Sequence, residues 1–139
     1  MSSRIRPQTL VTAPTHGAEA GEPKPRGIKR LLRAFGHSFR GFAGAFREEE
    51  AFRQEVLLAA VLVPLALYLG DNGVERVLLI APMALIFIVE LLNSAIEVVV
   101  DRIGTEHHQL SGLAKDIGSA AVLTAFILLG VVWALVLLH

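Results

Sequence analysis

The 139-residue sequence contains no cysteine, so it can form neither a disulfide framework nor a metal site built from thiolates. Its net charge is zero, because 13 acidic residues balance 13 lysines and arginines. It also lacks the GxxxxGK[ST] pattern and a GxGxxG turn after a strand, which excludes a P-loop or soluble-kinase fold. A length of 139 residues limits the chain to a single domain.

Apolar residues make up 53% of the chain and gather in three long stretches. We predict membrane-spanning helices at about residues 50–70, 76–101 and 116–138. Pro64 and Pro82 fall inside the first two spans, where a membrane helix tolerates proline. Trp133, near the end of the third span, suits an interfacial position. The pattern predicts an all-α membrane protein.

The region before the first span divides into a polar part and a basic part. Residues 1–26 are rich in Pro, Thr, Gly and Ala and lack the apolar core of a signal peptide, so we predict a disordered tail. In residues 28–48, apolar side chains recur at three- and four-residue spacing, and basic side chains occupy many of the positions between them. This pattern predicts an amphipathic helix on the membrane surface. Nucleic-acid binding is less favoured, because the basic run continues directly into membrane segments.

The charge distribution predicts the topology. Ten of the 13 lysines and arginines precede residue 54. Because these residues prefer the cytoplasmic side, the N-terminus is expected inside and the C-terminus outside. The loop at 71–76 then lies outside, and the loop at 101–117 lies inside.

A polar stripe runs along the second predicted span and consists of Glu90, Asn93, Glu97 and Asp101. At about 100° per residue, these side chains fall within about 80° of one another, and Ser94 lies on the same side. A carboxylate inside a membrane span indicates a functional site, although a polar group that only fixes helix packing is the alternative. Glu90 lies about 10 Å deeper than Glu97. The deeper acid suits a base, and the shallower one suits a cation ligand.

Phosphoryl transfer is one chemistry that these residues permit, since it needs cations, metal-binding carboxylates and a base. Glu97 and Glu49 could hold Mg²⁺, Glu90 could take a proton from a lipid hydroxyl, and Lys115, Arg30 and His108 could contact phosphates. Simpler interpretations remain open for several of these residues. Glu49 could pair with Arg53 across one helical turn, and Lys115 could be an interfacial lysine beside Asp116.

Several separated motifs resemble the prokaryotic integral-membrane diacylglycerol kinase family. They are ELLNSAIE at residues 90–97, VDRIG at 100–104, SGLAKD at 111–116, Glu49 with AFRQE at 51–55, and GSAAVL at 118–123. The resemblance covers about residues 28–138. It implies a homotrimer with sites shared between subunits, which uses MgATP to phosphorylate diacylglycerol at the cytoplasmic face of the inner membrane.

The resemblance also implies roles for individual residues. Glu90 corresponds to the general base and Asn93 to a catalytic amide, while Glu49 and Glu97 correspond to metal ligands. The positions that correspond to nucleotide contacts are Arg30, His37, Glu49, Glu97, Glu106, His107, His108, Lys115 and Asp116. The positions that correspond to lipid contacts are Arg30, Glu90 and Ser119.

The chain departs from the best-known members at His37, His107, Gln109, Leu113, Pro64 and Pro82. Three other functions remain as alternatives: an undecaprenol kinase, a small proton-coupled transporter, and a structural membrane subunit without chemistry. The loop at 104–112 and the GSAA segment resemble the proteobacterial branch of the family, and this resemblance implies diacylglycerol as the lipid.

Overall fold

The computed structural model describes residues 27–104 and 108–138, and every regular element in these ranges is an α-helix. The helices are α1 (Ile28–Glu48), α2 (Glu50–Leu69), α3 (Gly73–Ile103) and α4 (Gln109–Leu137). The predicted all-α class is therefore confirmed. The predicted tail at residues 1–26 lies outside the described residues.

Helices α2, α3 and α4 are each long and apolar enough to cross a membrane. Pro64 lies within α2 and Pro82 within α3, and both helices continue past the proline. Helix α4 begins at Gln109, before the predicted span at about 116–138, because the polar segment before the apolar run is helical too. The prediction followed hydropathy, which marks the membrane-embedded part of a helix and not its polar first turns.

Side-chain caps fix where α3 and α4 begin. Asn72 Oδ1 accepts hydrogen bonds from the backbone N–H groups of Val74 (3.0 Å) and Glu75 (3.1 Å). The Glu75 carboxylate in turn accepts from the Asp71 N–H at 2.9 Å and from Asn72 Nδ2 at 2.7 Å. These bonds satisfy N–H groups that a helix start leaves without partners. His108 Nδ1 caps α4 similarly by accepting from the Leu110 N–H at 3.3 Å.

The described part of the chain divides into two compact units between Phe35 and Gly36, so α1 contributes to both. Within the second unit, the rings of Phe42 on α1 and Phe87 on α3 both contact Phe52 on α2, with centroid separations of 6.4 Å and 5.6 Å. Arg53 donates to the backbone carbonyls of Phe46 (3.3 Å) and Arg47 (3.0 Å) at the end of α1. These contacts hold the last turns of α1 against α2.

The expected pairing of Glu49 with Arg53 is not among the ion pairs of the described residues, because the Arg53 guanidinium bonds to these α1 carbonyls instead. Glu49 is the N-cap of α2, and its backbone carbonyl, not its carboxylate, accepts from the Arg53 N–H at 3.4 Å.

The apolar core lies where α3 packs on α4, with α2 alongside. Met83 and Ile86 of α3 are buried against Ala125 and Leu129 of α4. Trp133 packs on this cluster, and its indole Nε1–H donates to the Leu79 carbonyl at 3.0 Å. A backbone carbonyl has two lone pairs, so the Leu79 oxygen can accept from Trp133 in addition to a helix donor. The Trp133 donor therefore has its partner inside the protein.

Candidate active site

Burial decreases along the polar stripe of α3 from its middle toward its C-terminal end. Glu90 is 4% exposed and Asn93 is 9% exposed, whereas Glu97 is half-buried and Asp101 is exposed. Ser94, on the same side, is also buried. The structure thus arranges the predicted stripe as a series of polar groups from a buried carboxylate to an exposed one. Burying a carboxylate in such a helix costs free energy, so its presence there indicates a functional site.

The Asn93 side chain links its own turn of α3 to the next turn, which carries Glu97. Its Nδ2 group donates to Glu97 Oε1 at 3.0 Å, which is one helical turn farther along α3. Its Oδ1 atom is buried without a hydrogen-bond partner among the described residues, and it lies against Gly118 of α4. The amide therefore orients the Glu97 carboxylate and at the same time occupies the contact between two helices.

Glu55 of α2 lies beside the stripe, although it is not among the residues predicted for the site. It is 4% exposed, and its Oε2 atom has no hydrogen-bond partner among the described residues. Glu55 and Glu90 line one cavity of about 280 Å³, together with Gln54 and apolar side chains of α2 and α4. An acid one turn into an apolar span was the available signal. The pairing with Glu90 was not visible, because it depends on how α2 packs on α3.

Glu49 lines a second, larger cavity of about 700 Å³ that also borders the stripe of α3. Glu49 is half-buried and lines this cavity with Ser94 and Val98 of α3. Ser94 precedes Glu97 by three residues, so the cavity places Glu49 near the turn of α3 that carries Glu97, the other predicted metal ligand. The lining comes from the last turns of α1 and from α3.

Lys115 of α4 bonds to α3 and not to its sequence neighbour. Its ammonium donates to Asp101 Oδ1 at 2.7 Å, while Asp116 is exposed. This ion pair places the lysine at the exposed end of the polar stripe, one helical turn beyond Glu97. An ammonium group beside carboxylates that can hold a metal ion is an arrangement that suits phosphate recognition.

The structure places the remaining predicted residues at several positions. His37 is exposed and its Nδ1 accepts from Arg40 at 2.8 Å, His108 caps α4, and Ser119 is exposed on α4. Arg30 belongs to the first compact unit, so its part in the site stays a prediction. Glu106 and His107 lie outside the described residues. The roles assigned to all of these residues stay predictions.

Within residues 27–104 and 108–138, no group of three or more His, Asp or Glu side chains is arranged to hold a metal ion. Mg²⁺ in phosphoryl-transfer sites takes only one or two carboxylates and completes its shell with water and substrate phosphates. The half-buried carboxylates of Glu49 and Glu97 meet that smaller requirement with oxygen donors of the right kind. The donor set therefore fits a magnesium ion that arrives with a nucleotide.

Three helices of membrane-crossing length, with buried carboxylates on the middle one, define a small multi-pass membrane protein with a polar site among its helices. The family model for prokaryotic diacylglycerol kinase matches residues 36–137. The chain belongs to this family.

Curated relatives agree with this assignment. The chain is 54% identical over 112 residues to the diacylglycerol kinase of Pseudomonas aeruginosa. The aligned residues cover 81% of this chain and 91% of the relative. It is 50% identical over 111 residues to that of Escherichia coli K12, with 80% and 91% covered. It is 48% identical over 110 residues to that of Haemophilus influenzae, with 79% and 93% covered.

Proposed function

We propose that this protein is an ATP-dependent lipid kinase that transfers the γ-phosphate of ATP to the free hydroxyl of diacylglycerol and so makes phosphatidic acid. Family membership supports the reaction class. The observation that carries the site is the position of Glu90, a carboxylate 4% exposed at the wall of a cavity, on a helix long enough to cross a membrane. There a base can reach the headgroup hydroxyl of a lipid that stays in the bilayer.

In the proposed reaction, a Glu90 oxygen accepts the proton of the lipid hydroxyl. The hydroxyl oxygen forms a bond to the γ-phosphorus while the bond from that phosphorus to the ADP oxygen breaks. Glu55 faces the same cavity with an oxygen that has no partner among the described residues. It lies where it can contact the lipid headgroup and so help to place the reacting hydroxyl beside Glu90. Such positioning is a large part of phosphoryl-transfer catalysis.

The nucleotide side of the site is built from the outer part of the stripe. Glu49 and Glu97 would hold Mg²⁺, which neutralises phosphate charge when it is bound. Asn93 donates to Glu97 and keeps that carboxylate oriented. Lys115 would contact phosphates with its ammonium. Further nucleotide contacts are proposed for the positions named from the family resemblance, which are Arg30, His37, Glu106, His107, His108 and Asp116.

The proposed setting is the inner membrane, with the N-terminus and the α3–α4 connection on the cytoplasmic side, where ATP is found. The excess of lysine and arginine before residue 54 supports this orientation. We further propose a homotrimer in which neighbouring subunits complete each site. Many large apolar side chains on the membrane-crossing helices are exposed in the single chain, as lipid-facing and subunit-facing surfaces require.

The decisive test is purified protein in mixed micelles with MgATP and dioleoylglycerol, followed by measurement of phosphatidic acid. A parallel assay supplies undecaprenol in place of dioleoylglycerol. We expect faster transfer to dioleoylglycerol. Faster transfer to undecaprenol would identify the alternative lipid kinase. The absence of transfer to either lipid, with proton-driven transport in vesicles, would favour the transporter alternative.

A further inference from the structure

Helices α3 and α4 approach each other closely at a glycine of α4. Gly118 is buried, and the Asn93 side chain fills the space where a β-carbon at position 118 would stand. A β-carbon there would overlap Asn93 Oδ1, which has no hydrogen-bond partner among the described residues. Any side chain at 118 must therefore displace the Asn93 amide or push α4 away from α3.

The other end of the same amide faces the proposed nucleotide site. Asn93 Nδ2 donates to Glu97 Oε1 at 3.0 Å, and the oxygen and nitrogen of one amide group move together. A rotation that frees Oδ1 from position 118 also turns Nδ2 away from Glu97. The absence of a side chain at 118 is thus coupled, through one rigid group, to the orientation of the Glu97 carboxylate.

We propose that Gly118 is a positioning residue for phosphoryl transfer. It forms a socket for the Asn93 amide, and the seated amide holds Glu97 in the orientation that the metal-bound nucleotide requires. This inference rests on the proposed function. It adds a residue of α4 that makes no direct contact with nucleotide or lipid and acts through a residue of α3.

The chain provides a matched control on the same helix. A β-carbon added at Gly130 of α4 meets no heavy atom within 4 Å, so Gly130→Ala introduces the same methyl group without a clash. The residue at 93 provides a second control. In Asn93→Ala the remaining β-carbon lies 3.7 Å from a β-carbon at 118, an ordinary van der Waals distance, so the double variant has no clash at this contact.

The chain also provides a reporter that does not depend on activity. Its only asparagines are Asn72 and Asn93. Selective ¹⁵N-asparagine labelling therefore yields two side-chain amide pairs in an NMR spectrum of the detergent-solubilised protein. Asn72 caps α3 at its opposite end and serves as the internal standard.

We expect Gly118→Ala to shift the Asn93 amide pair, to leave the Asn72 pair in place, and to lower kcat with dioleoylglycerol roughly 10–100-fold. Gly130→Ala should shift neither pair and change kcat by less than about twofold. In the Asn93→Ala background, Gly118→Ala should lower neither kcat nor Tm further, because the group that it displaces is gone. If Gly118→Ala alone does not fold, Asn93→Ala/Gly118→Ala should fold.

Three results would overturn the proposal: an Asn93 pair that does not move in Gly118→Ala, a loss of kcat that adds to that of Asn93→Ala, or a double variant that fails to fold while Asn93→Ala folds. A wild-type protein that phosphorylates no lipid would instead overturn the proposed function. The NMR comparison would then still decide whether Gly118 seats the Asn93 amide.

Discussion

The Lys115 ammonium donates to Asp101 Oδ1 at 2.7 Å and joins α3 to α4 beside the segment that connects them. Both side chains reach solvent, which screens their charges, so this ion pair contributes little to the free energy of unfolding. Its main effect is geometric. It holds the head of Lys115 at the end of the stripe, one helical turn beyond Glu97, where the proposed nucleotide phosphates bind.

Asp101→Asn should raise KM for MgATP by roughly three- to tenfold, because Lys115 loses the charged partner that orients it. The value of kcat should change by less than about twofold, since Asp101 touches no reacting group. Initial rates against MgATP concentration provide both constants. The matched control is Asp71→Asn in the loop at the opposite end of α3, which should leave KM unchanged. An unchanged KM in Asp101→Asn would show that the ion pair has no part in nucleotide binding.

Glu90→Gln should lower kcat by at least about 100-fold, because the amide cannot accept the hydroxyl proton. Helix content and ATP binding should be retained. Glu55→Gln should lower kcat less and raise KM for dioleoylglycerol, because the proposed role of Glu55 is to orient the lipid and not to accept its proton. Phosphatidic acid formation in mixed micelles, measured at several lipid fractions, separates the two constants. Near-normal turnover by Glu90→Gln would rule out Glu90 as the base.

Glu97→Gln should shift the Mg²⁺ dependence of the reaction to higher concentration and weaken MgATP binding by roughly tenfold or more. The glutamine keeps an oxygen that can accept from Asn93 Nδ2, so the change removes the charge and not the hydrogen bond. Rates measured during a Mg²⁺ titration test this expectation. Glu50→Gln, which alters an exposed acid at the start of α2, is the control and should follow the wild-type curve. Coincident curves for Glu97→Gln and wild type would contradict the metal assignment.

Trp133→Phe should lower the free energy of unfolding by about 1 kcal/mol, because it removes the indole donor to the Leu79 carbonyl. The reaction itself should continue at a similar rate, since this contact lies at the opposite end of α3 from Glu97. Denaturation in detergent, monitored by loss of helix content, provides the comparison. Tyr68→Phe removes a polar group from a side chain that is 84% exposed and is expected to have no effect on stability. Equal stability of all three proteins would mean that the Trp133 bond adds nothing.

Periodicity within one helix was sufficient to predict the polar stripe. The spacing of Glu90, Asn93, Glu97 and Asp101 determines that they share a side of any α-helix. The apolar runs determined three membrane-crossing helices. These relationships are local, so the chain sets them before any two helices meet.

Which residues of different helices lie in contact could not be predicted from the sequence and is determined by the tertiary structure. Glu55 faces the cavity of Glu90 because α2 packs on α3 in one register, and Lys115 bonds to Asp101 because α4 returns beside α3. Gly118 receives the Asn93 amide for the same reason. Periodicity specifies which side of a helix is polar, but it does not specify which residue of a neighbouring helix lies opposite. That choice depends on the packing of whole helix surfaces.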